Sequence, residues 1–274
     1  MALALLTLPV WAQTNLIVMT WNLRYDAPSD GTNGWMNRRE AVAGLVRFNG
    51  VDLLCTQEGL TRQLDYLREE LKTHDYVGVG RDDGDKKGEY TAIFYRKDRF
   101  KVIAQNTFWL SETPAVLSKG WDAALVRICT WVKFEDRLSG QVFYLFNTHF
   151  DHMGKLARER SAELIVKKSR DITEEKYPVI IAGDFNATDN EPPYQVMSRS
   201  YADARLISRE PPFGPLMTFN AFHYDKPAAM RIDYIFTDKN IGVKRYGVLN
   251  NSYDQRYPSD HFPVLVELLI KGDN

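Results

Sequence analysis

The sequence IIAGDFNATDN, at residues 180–190, begins as an apolar β-strand and ends in polar residues. The apolar part covers residues 180–182, and Asp184 and Asn186 follow it, two positions apart. Side chains two apart on a strand point to the same side, so we expect these two groups to face the same way. One such pair means little unless other segments bring matching chemistry to the same place.

Strand-like runs and helical patterns alternate early in the chain, and three strand-like runs follow one another in the middle. The helical pattern at 61–73 is amphipathic, with Leu64, Leu67 and Leu71 on one face and Thr61 as its expected N-cap. Strands joined in this way predict an α/β fold with mixed sheets packed face to face and helices outside. The predicted strands cover 16–22, 51–58, 91–96, 101–110, 125–134, 140–150, 177–186, 230–238 and 261–270, and the other predicted helices cover 37–48 and 155–172.

Composition limits the kind of protein. Acidic and basic residues nearly cancel, 36 against 35, which gives a formal charge of −1. A dedicated, high-affinity nucleic-acid binder usually has a marked basic excess, so the balance argues against one. The polar loops at 81–89 and 209–215 do not resemble domain boundaries. We therefore expect a single domain over residues 13–274, acting as a monomer without a stable protein partner.

The first residues, MALALLTLPVWA, form a short apolar run that ends in small or modest side chains. Such a run is too short to span a bilayer and is typical of a secretory signal peptide. We expect a signal peptide at residues 1–12 and a secreted or periplasmic protein; the alternative is an uncleaved first strand. Cys55 and Cys129 lie in apolar runs, which favours buried thiols over a disulfide.

Residues able to bind a metal or move a proton stand at the ends of six separated segments. Taken singly, each has an ordinary explanation, since an acid at a strand end is commonly a solvated cap and a lone histidine is commonly structural. Together they favour one shared site. These residues are Asn22, Glu58, His149, Asp184 with Asn186, Asp233, and Asp260 with His261.

In chain order, the motifs WN, QE, NTH, GDFN, DYI and SDH resemble those of the endonuclease/exonuclease/phosphatase superfamily, over about residues 15 to 268. GDFNA followed by SDHFPV is the most specific part of the resemblance. It implies a four-layer αββα sandwich with two central mixed β-sheets, like that of deoxyribonuclease. It also implies a site at one sheet edge that binds Mg²⁺ or Mn²⁺ and hydrolyses a phosphodiester or phosphomonoester by in-line attack of water.

By this resemblance, Glu58 corresponds to the principal metal carboxylate, and Asn22 and Asp260 to its neighbours around the ion. The assignment agrees with the preference of Mg²⁺ for hard oxygen ligands. His261 corresponds to the histidine that contacts the scissile phosphate, with Asp233 behind it. A carboxylate on the far ring nitrogen fixes the tautomer of a histidine and favours its charged form.

Hydrolysis of a phosphoester needs a group that orients or deprotonates water. We expect Asp184 to be that group, with Asn186 holding the phosphate or the water. The resemblance implies further roles around the phosphate. His149 corresponds to a second site histidine, supported by Glu89 in KGEYTAIFYR, although Glu89 is equally well explained as a loop acid. Arg127 corresponds to a phosphate-binding arginine.

Several residues near these motifs keep two interpretations. Asp151 and His152 either contact the substrate or a second metal, or make structural hydrogen bonds. Trp109 and Trp121 either line the cleft, where they could stack on a base or sugar, or pack at the surface.

The sequence therefore predicts a metal-dependent phosphoesterase. A nuclease is one branch, and a phosphatase or phosphodiesterase of small molecules, sugar phosphates or phospholipids is the other. The near-neutral charge favours the second branch, because tight binding of a nucleic-acid backbone needs several cationic contacts. The alternative of another class is a non-catalytic binding module on the same fold. It would be favoured by loss of Glu58, Asp184, Asn186 or His261, all of which are present.

Overall fold

The computed structural model describes residues 14–271, and within them two six-stranded sheets form the centre of the molecule. The predicted signal peptide at residues 1–12 lies outside the described residues. The first sheet has the strand order β11-β12-β1-β2-β4-β3. Its strands are β1 (Thr14–Asn22), β2 (Leu53–Gly59), β3 (His74–Val77), β4 (Tyr90–Arg96), β11 (Ile241–Val248) and β12 (Val264–Ile270).

The second sheet has the order β5-β6-β7-β8-β10-β9. Each sheet contains one parallel pair, β1 with β2 and β7 with β8, and its other pairs are antiparallel. A parallel pair needs a crossover connection, and a helix supplies it in both sheets. The strands are β5 (Phe100–Trp109), β6 (Ile128–Asp136), β7 (Val142–His149), β8 (Val179–Asp184), β9 (Ala202–Asp203) and β10 (Asp233–Thr237).

Helices cover the outer face of each sheet. α1 (Trp35–Phe48) connects β1 to β2, and α2 (Thr61–Glu70) follows β2. α3 (Lys155–Thr173) connects β7 to β8, and α4 (Pro192–Ser198) follows β8. Among the helices of residues 14–271, none is long and apolar enough to cross a lipid bilayer.

Three apolar clusters fill the spaces between neighbouring layers. The middle cluster, with Leu145, Ile180 and Val266, joins the inner faces of the two sheets. The second packs α1 and α2 on the first sheet, and the third packs α3 on the second. This arrangement confirms the predicted αββα sandwich with two mixed sheets.

The structure differs from the predicted elements in places. Thr61 is the first residue of α2 and not its cap: Leu60 is the N-cap, and the Thr61 hydroxyl donates to the carbonyl of Lys86 at 2.8 Å. Leu64, Leu67 and Leu71 are buried as predicted. Asp233 is the first residue of β10 and does not lie inside the strand.

Candidate active site

Asp184, the last residue of β8, lies at the centre of the polar groups at one end of the sandwich. Its Oδ2 accepts a hydrogen bond from Asn22 Nδ2 at 2.9 Å, and lies 3.5 Å from His149 Nε2 and 3.9 Å from His261 Nε2. Burial, followed by the nearby Asp233 carboxylate, raises the pKa of Asp184 to about 7. A carboxylate with such a pKa is suited to accept a proton near neutral pH.

Asn186 reaches the site by a route that strand alternation does not predict. β8 ends at Asp184, and Asn186 adopts a left-handed backbone conformation with φ of 46°. Its backbone N–H donates to Asp184 Oδ1 at 2.9 Å, while its Nδ2 donates to the carbonyl of Phe150 at 3.0 Å. The two side chains therefore converge because the chain turns, and not because they share a strand face.

His261 and Asp233 form a buried hydrogen-bonded pair. β10 pairs with β8 so that Asp233 lies opposite Asp184, and His261 Nδ1 lies 2.9 Å from Asp233 Oδ2. Burial alone would lower the pKa of His261, but the Asp233 carboxylate and its hydrogen bond raise that pKa well above the ordinary value. His261 is therefore a cation at neutral pH, with Nε2 facing Asp184.

His149, at the end of β7, has the opposite character. Burial lowers its pKa well below the ordinary value, and the neighbouring cations Arg127 and Arg81 lower it further. Asn186 Nδ2 lies 3.2 Å from His149 Nε2. Arg127 Nη1 lies 3.0 Å from Nδ1, so a hydrogen-bond donor stands opposite each ring nitrogen, which opposes a second proton on the ring. A neutral imidazole cannot donate a proton as readily as a cation, so the charged histidine of the site is His261.

Arg127, Glu89 and Arg81 surround the far side of His149. Arg127 Nη1 lies 3.0 Å from His149 Nδ1, and Arg81 Nη1 donates to Glu89 Oε2 at 2.6 Å. Glu89 Oε2 lies 3.8 Å from His149 Nδ1 and 3.9 Å from Arg127 Nη1. Burial, then the Glu58 carboxylate, raise the pKa of Glu89 to about 7, while the two arginines oppose this rise. The structure thus brings Glu89 and Arg127 to His149.

Glu58 is the penultimate residue of β2 and has a left-handed conformation with φ of 62°, beside the end of β1. Its Oε1 accepts from Asn22 Nδ2 at 3.0 Å and its Oε2 from the backbone N–H of Tyr25 at 3.1 Å. Burial raises the pKa of Asp260, and the Glu58 carboxylate raises it further. Glu58 and Asp260 therefore concentrate negative charge in one place.

Asp151 organises two loops. Its carboxylate accepts hydrogen bonds from the backbone N–H groups of Ala124, Leu125, Met153 and Gly154, at 2.8–3.1 Å. Burial alone would raise the pKa of Asp151, but these bonds lower it well below its usual range. This set of partners is that of a structural residue. His152 is exposed, and its Nδ1 lies 3.1 Å from Arg127 Nη2.

Three arginines of the site were not singled out from the sequence. Arg81 lies in the polar loop at 81–89, and Arg24 follows Asn22 by two positions. The buried Arg38 of α1 donates to carbonyls of Leu23 and Pro258, which links the chain after β1 to the chain before β12. Strand-end spacing does not reveal these residues. Arg81 and Arg24 pair with the nearby acids Glu89 and Asp30, and Arg38 bonds to backbone carbonyls from helix α1.

The tryptophans fall in different surroundings. Trp109 is the last residue of β5, and its Nε1 donates to the carbonyl of Arg81 at 3.1 Å. Trp121 lies in the loop before β6 and is half-buried. Its neighbour Asp122 accepts hydrogen bonds from backbone N–H groups of Leu156 and Ala157, at the start of α3.

One group of side chains has the spacing of metal ligands. Ligand-type atoms of Asp184, Asp233 and His261 all lie within 4.8 Å of one another, and the three residues are buried. This set differs from the metal set predicted from the sequence, Glu58, Asn22 and Asp260. Since His261 Nδ1 is engaged by Asp233, the set is also explained as a hydrogen-bonded proton-transfer group.

The two mixed sheets and their flanking helices form an αββα sandwich with acids, histidines and arginines collected at one end. The profile of the Endonuclease/Exonuclease/phosphatase family matches residues 19–261. The chain belongs to this family.

Solved structures from Bacteroides thetaiotaomicron are similar to the whole domain. One, of an endonuclease/exonuclease/phosphatase family protein, is 41% identical with a TM-score of 0.91, over 95% of this chain and 100% of that one. Another, a mannosyl-6-phosphatase, is 42% identical with a TM-score of 0.89, over 92% of this chain and 99% of that one.

A curated relative is more distant. Nocturnin of Drosophila melanogaster is 24% identical over 88% of this chain and 43% of its own length. The chain spans less than two thirds of the length of the curated relatives that it matches.

Proposed function

We propose that the protein is a Mg²⁺- or Mn²⁺-dependent phosphomonoesterase that acts on a sugar phosphate. The observation that carries the proposal is the central position of Asp184, whose pKa is raised to about 7, between a neutral and a charged histidine. This arrangement supports activation of a water molecule at one side of a phosphate and stabilisation of negative charge at the other.

The donor chemistry near Glu58 fits a divalent cation. Glu58 and Asp260 supply hard carboxylate oxygens. Asn22 turns Nδ2 toward Glu58, while its Oδ1 accepts from the N–H of Arg24 at 2.9 Å, so its amide would rotate to give an oxygen to the ion. Glu58 raises the pKa of Asp260, so the two acids repel each other unless positive charge lies between them. We assign these three residues to the ion. When bound, the cation supplies Lewis-acid chemistry, which withdraws negative charge from the phosphate oxygens.

Asp184 and His261 act on the attacking water and on the charge of the transition state. Asp184 orients and deprotonates the attacking water, since its pKa of about 7 allows it to accept a proton at neutral pH. The charged His261, held by Asp233, faces the same point and stabilises the oxygens that gain charge in the transition state. Both roles need rigid placement, which the buried ends of β8 and β10 supply.

The phosphate is held on the side of His149. Arg127 and Asn186 contact this histidine and supply N–H donors suited to phosphate oxygens. Glu89 lies between Arg81 and Arg127 and fixes the guanidinium groups in place. We therefore assign Arg127 and Asn186 to phosphate binding, His149 to orientation, and Glu89 to support.

The substrate class rests on the structural neighbour. A mannosyl-6-phosphatase is 42% identical over 92% of this chain, which supports a hexose 6-phosphate as substrate. The formal charge of −1 agrees with a small substrate more than with a long nucleic-acid backbone. We further propose export of the protein, with residues 1–12 as its signal peptide, and action as a monomer.

The test is phosphate release from mannose 6-phosphate by the purified protein with millimolar Mg²⁺ or Mn²⁺. Parallel reactions use glucose 6-phosphate, supercoiled plasmid and a single-stranded oligoribonucleotide, each with and without EDTA. Metal-dependent release from mannose 6-phosphate, absent in His261→Ala, is the expected result.

Metal-dependent nicking of the plasmid or shortening of the oligoribonucleotide, without phosphate release from either sugar, would replace the proposal with a nuclease. Binding of a substrate without any turnover would favour the non-catalytic binding module.

A further inference from the structure

A second concave site lies along the free edge of β5. It is a groove of about 590 Å³, a volume typical of small-ligand sites. β5 is the outermost strand of its sheet, and none of the groove's lining residues belongs to the site around Asp184. The residues that matter for its chemistry are Trp109, Trp131, Gln105, Asn106, Thr107 and Lys168.

The groove offers an aromatic surface that packing leaves partly open. Trp131 of β6 lies directly opposite Asn106 of β5, so both side chains are on one sheet face. The indole of Trp131 packs against Tyr144 and Phe146, at ring-centroid distances of 5.9 and 6.4 Å, yet stays half-buried. A rigid, partly exposed indole gives a ligand a large apolar contact.

Polar groups beside this surface remain available. Asn106 Oδ1 accepts from the N–H of Thr107 at 2.8 Å, which leaves its amide N–H groups for a ligand. Gln105 is exposed and Lys168 is half-buried, and both line the groove. Amide groups both donate and accept, as sugar hydroxyls do. A single cation is too little for a polyphosphate backbone.

The groove is coupled to the active site through one loop. Trp109 Nε1 donates to the carbonyl of Arg81 at 3.1 Å, and the Arg81 side chain bonds to Glu89 at 2.6 Å. The ring of Trp109 also lies against Gly84, where a Cβ atom would approach it at 3.2 Å. A ligand that contacts Trp109 therefore lies next to the loop that carries two residues of the active site.

We propose that the groove along β5 binds a neutral oligosaccharide, the unphosphorylated part of a phosphorylated glycan. One face of a pyranose ring presents C–H groups that suit an indole, while its hydroxyls suit the amide of Asn106 on the same sheet face. The amide of Gln105, on the opposite face of β5, borders the groove around the free edge of the strand. The choice of a glycan rests on the proposed phosphatase function, but binding of a sugar without phosphate does not depend on catalysis.

The experiment is calorimetric titration of the full protein with mannotriose, which carries no phosphate. Four proteins are compared: wild type, Trp131→Ala, the double variant Gln105→Ala/Asn106→Ala, and Phe48→Ala. Phe48 is 91% exposed and lies outside the groove, so it is the matched control for loss of an aromatic side chain. The double variant changes only exposed side chains of β5 and so guards against misfolding of Trp131→Ala.

We expect saturable binding to wild type and Phe48→Ala, weakened about tenfold or more in Trp131→Ala and several-fold in the double variant. The KM for a phosphorylated oligosaccharide should rise in the same variants, while the kcat for mannose 6-phosphate should not change. No saturable binding to wild type, or equal binding by all four proteins, would overturn the proposal, as would tighter binding of a short oligonucleotide than of mannotriose.

Failure of the proposed phosphatase function is a separate result. In that case mannotriose would bind as described, but mannose 6-phosphate would not be hydrolysed.

Discussion

At the scale of single residues, the site depends on two histidines with opposite pKa shifts in nearly identical burial. His149 and His261 are both 5% exposed. The difference comes from their neighbours, since Arg127 faces one ring and Asp233 the other. The charge state of each histidine therefore depends on the charge of its neighbour and not on how deeply the ring is buried.

His261→Ala should lower kcat for the best phosphoester substrate by at least about a hundredfold, because it removes the cation that faces Asp184. Glu58→Ala should have an effect of similar size, through loss of a carboxylate assigned to the metal. Initial rates at saturating metal measure both, and circular dichroism checks the fold. His223→Ala is the matched control, since the His223 side chain is 54% exposed and lies 3.9 Å from the exposed Asp225. Near-wild-type turnover in either site variant would refute the role assigned to that residue.

Asp151→Asn should affect stability more than chemistry. The carboxylate accepts four backbone N–H groups, and an amide would turn an N–H₂ group toward one of these donors. We expect a loss of about 1–3 kcal/mol in the free energy of unfolding, with kcat reduced far less than in His261→Ala. Urea denaturation and steady-state kinetics on the same preparation separate the two effects. A hundredfold loss of kcat at unchanged stability would instead place Asp151 in the chemistry.

At the scale of elements, the site is built where strands end. Asn22, Glu58, His149 and Asp184 stand at the ends of β1, β2, β7 and β8, the members of the two parallel pairs. Parallel neighbours bring their carboxyl ends to the same edge, which is why strand-end motifs far apart in sequence could be predicted to meet. The turn at Asn186 could not be predicted, because the side chain in this left-handed conformation contacts His149 and the carbonyl of Phe150, which are remote in sequence.

Gly183→Ala should disrupt this edge. Gly183 has φ of +150°, and a Cβ atom there would overlap the carbonyl oxygen of Thr148 on β7. The strands that carry His149 and Asp184 would have to separate, so we expect a loss of about 2–4 kcal/mol in the free energy of unfolding and a large loss of kcat. Gly44→Ala in α1 is the control, since a Cβ there meets nothing within 4 Å and alanine favours helix. Equal stability of the two variants would show that β7 and β8 can move apart at little cost in free energy.

The short edge strand β3 was missed in the sequence, and its first residue gives the fold a pH dependence. His74 is buried, and its Nε2 lies 2.8 Å from the carbonyl of Val51. Burial lowers the pKa of His74 below its ordinary value of 6.5. The unfolded chain therefore takes up this proton more readily, and the contribution of neutral His74 is lost as pH falls below 6.5 toward the lower folded value.

His74→Gln tests this dependence, because glutamine can keep a donor for Val51 but does not titrate. The melting temperature of wild type should fall relative to that of the variant as pH decreases from about 7.5 to about 5.5. Differential scanning calorimetry at several pH values measures the difference, and other titrating groups cancel in the comparison. A difference that stays constant over this range would mean that His74 does not contribute to acid sensitivity.

At the scale of the whole molecule, layer order could be predicted and the surroundings of the site could not. Apolar runs and helical patterns predicted mixed sheets packed face to face with helices outside, because burial against neighbouring layers requires those periods. The family resemblance added the four-layer αββα order, which the structure confirms. The contacts of Arg38 with Pro258 and of Asp151 with Ala124 were not predictable, since each joins groups remote in sequence. The groove along β5 likewise could not be predicted, because it depends on which strand occupies the edge of the sheet.

The two cysteines report on the integrity of this layered core. Cys55 and Cys129 are free and fully buried, as the apolar runs around them predicted. Burial raises the pKa of both thiols well above the ordinary value. Since only a thiolate reacts readily with a disulfide reagent, the native protein protects these groups twice, by exclusion of the reagent and by suppression of ionisation.

The native protein should therefore react with no equivalents of an aromatic disulfide reagent at about pH 8, where an exposed thiol reacts readily. In guanidinium chloride the chain should react with two equivalents, one for each cysteine. The two thiols belong to different apolar clusters, between the sheets and beneath α3, so equal labelling rates at low denaturant would indicate that the layers open together. A fast-reacting thiol in the native state would contradict burial, and faster labelling of Cys129 alone, read from the Cys55→Ala variant, would show that α3 detaches before the two sheets separate.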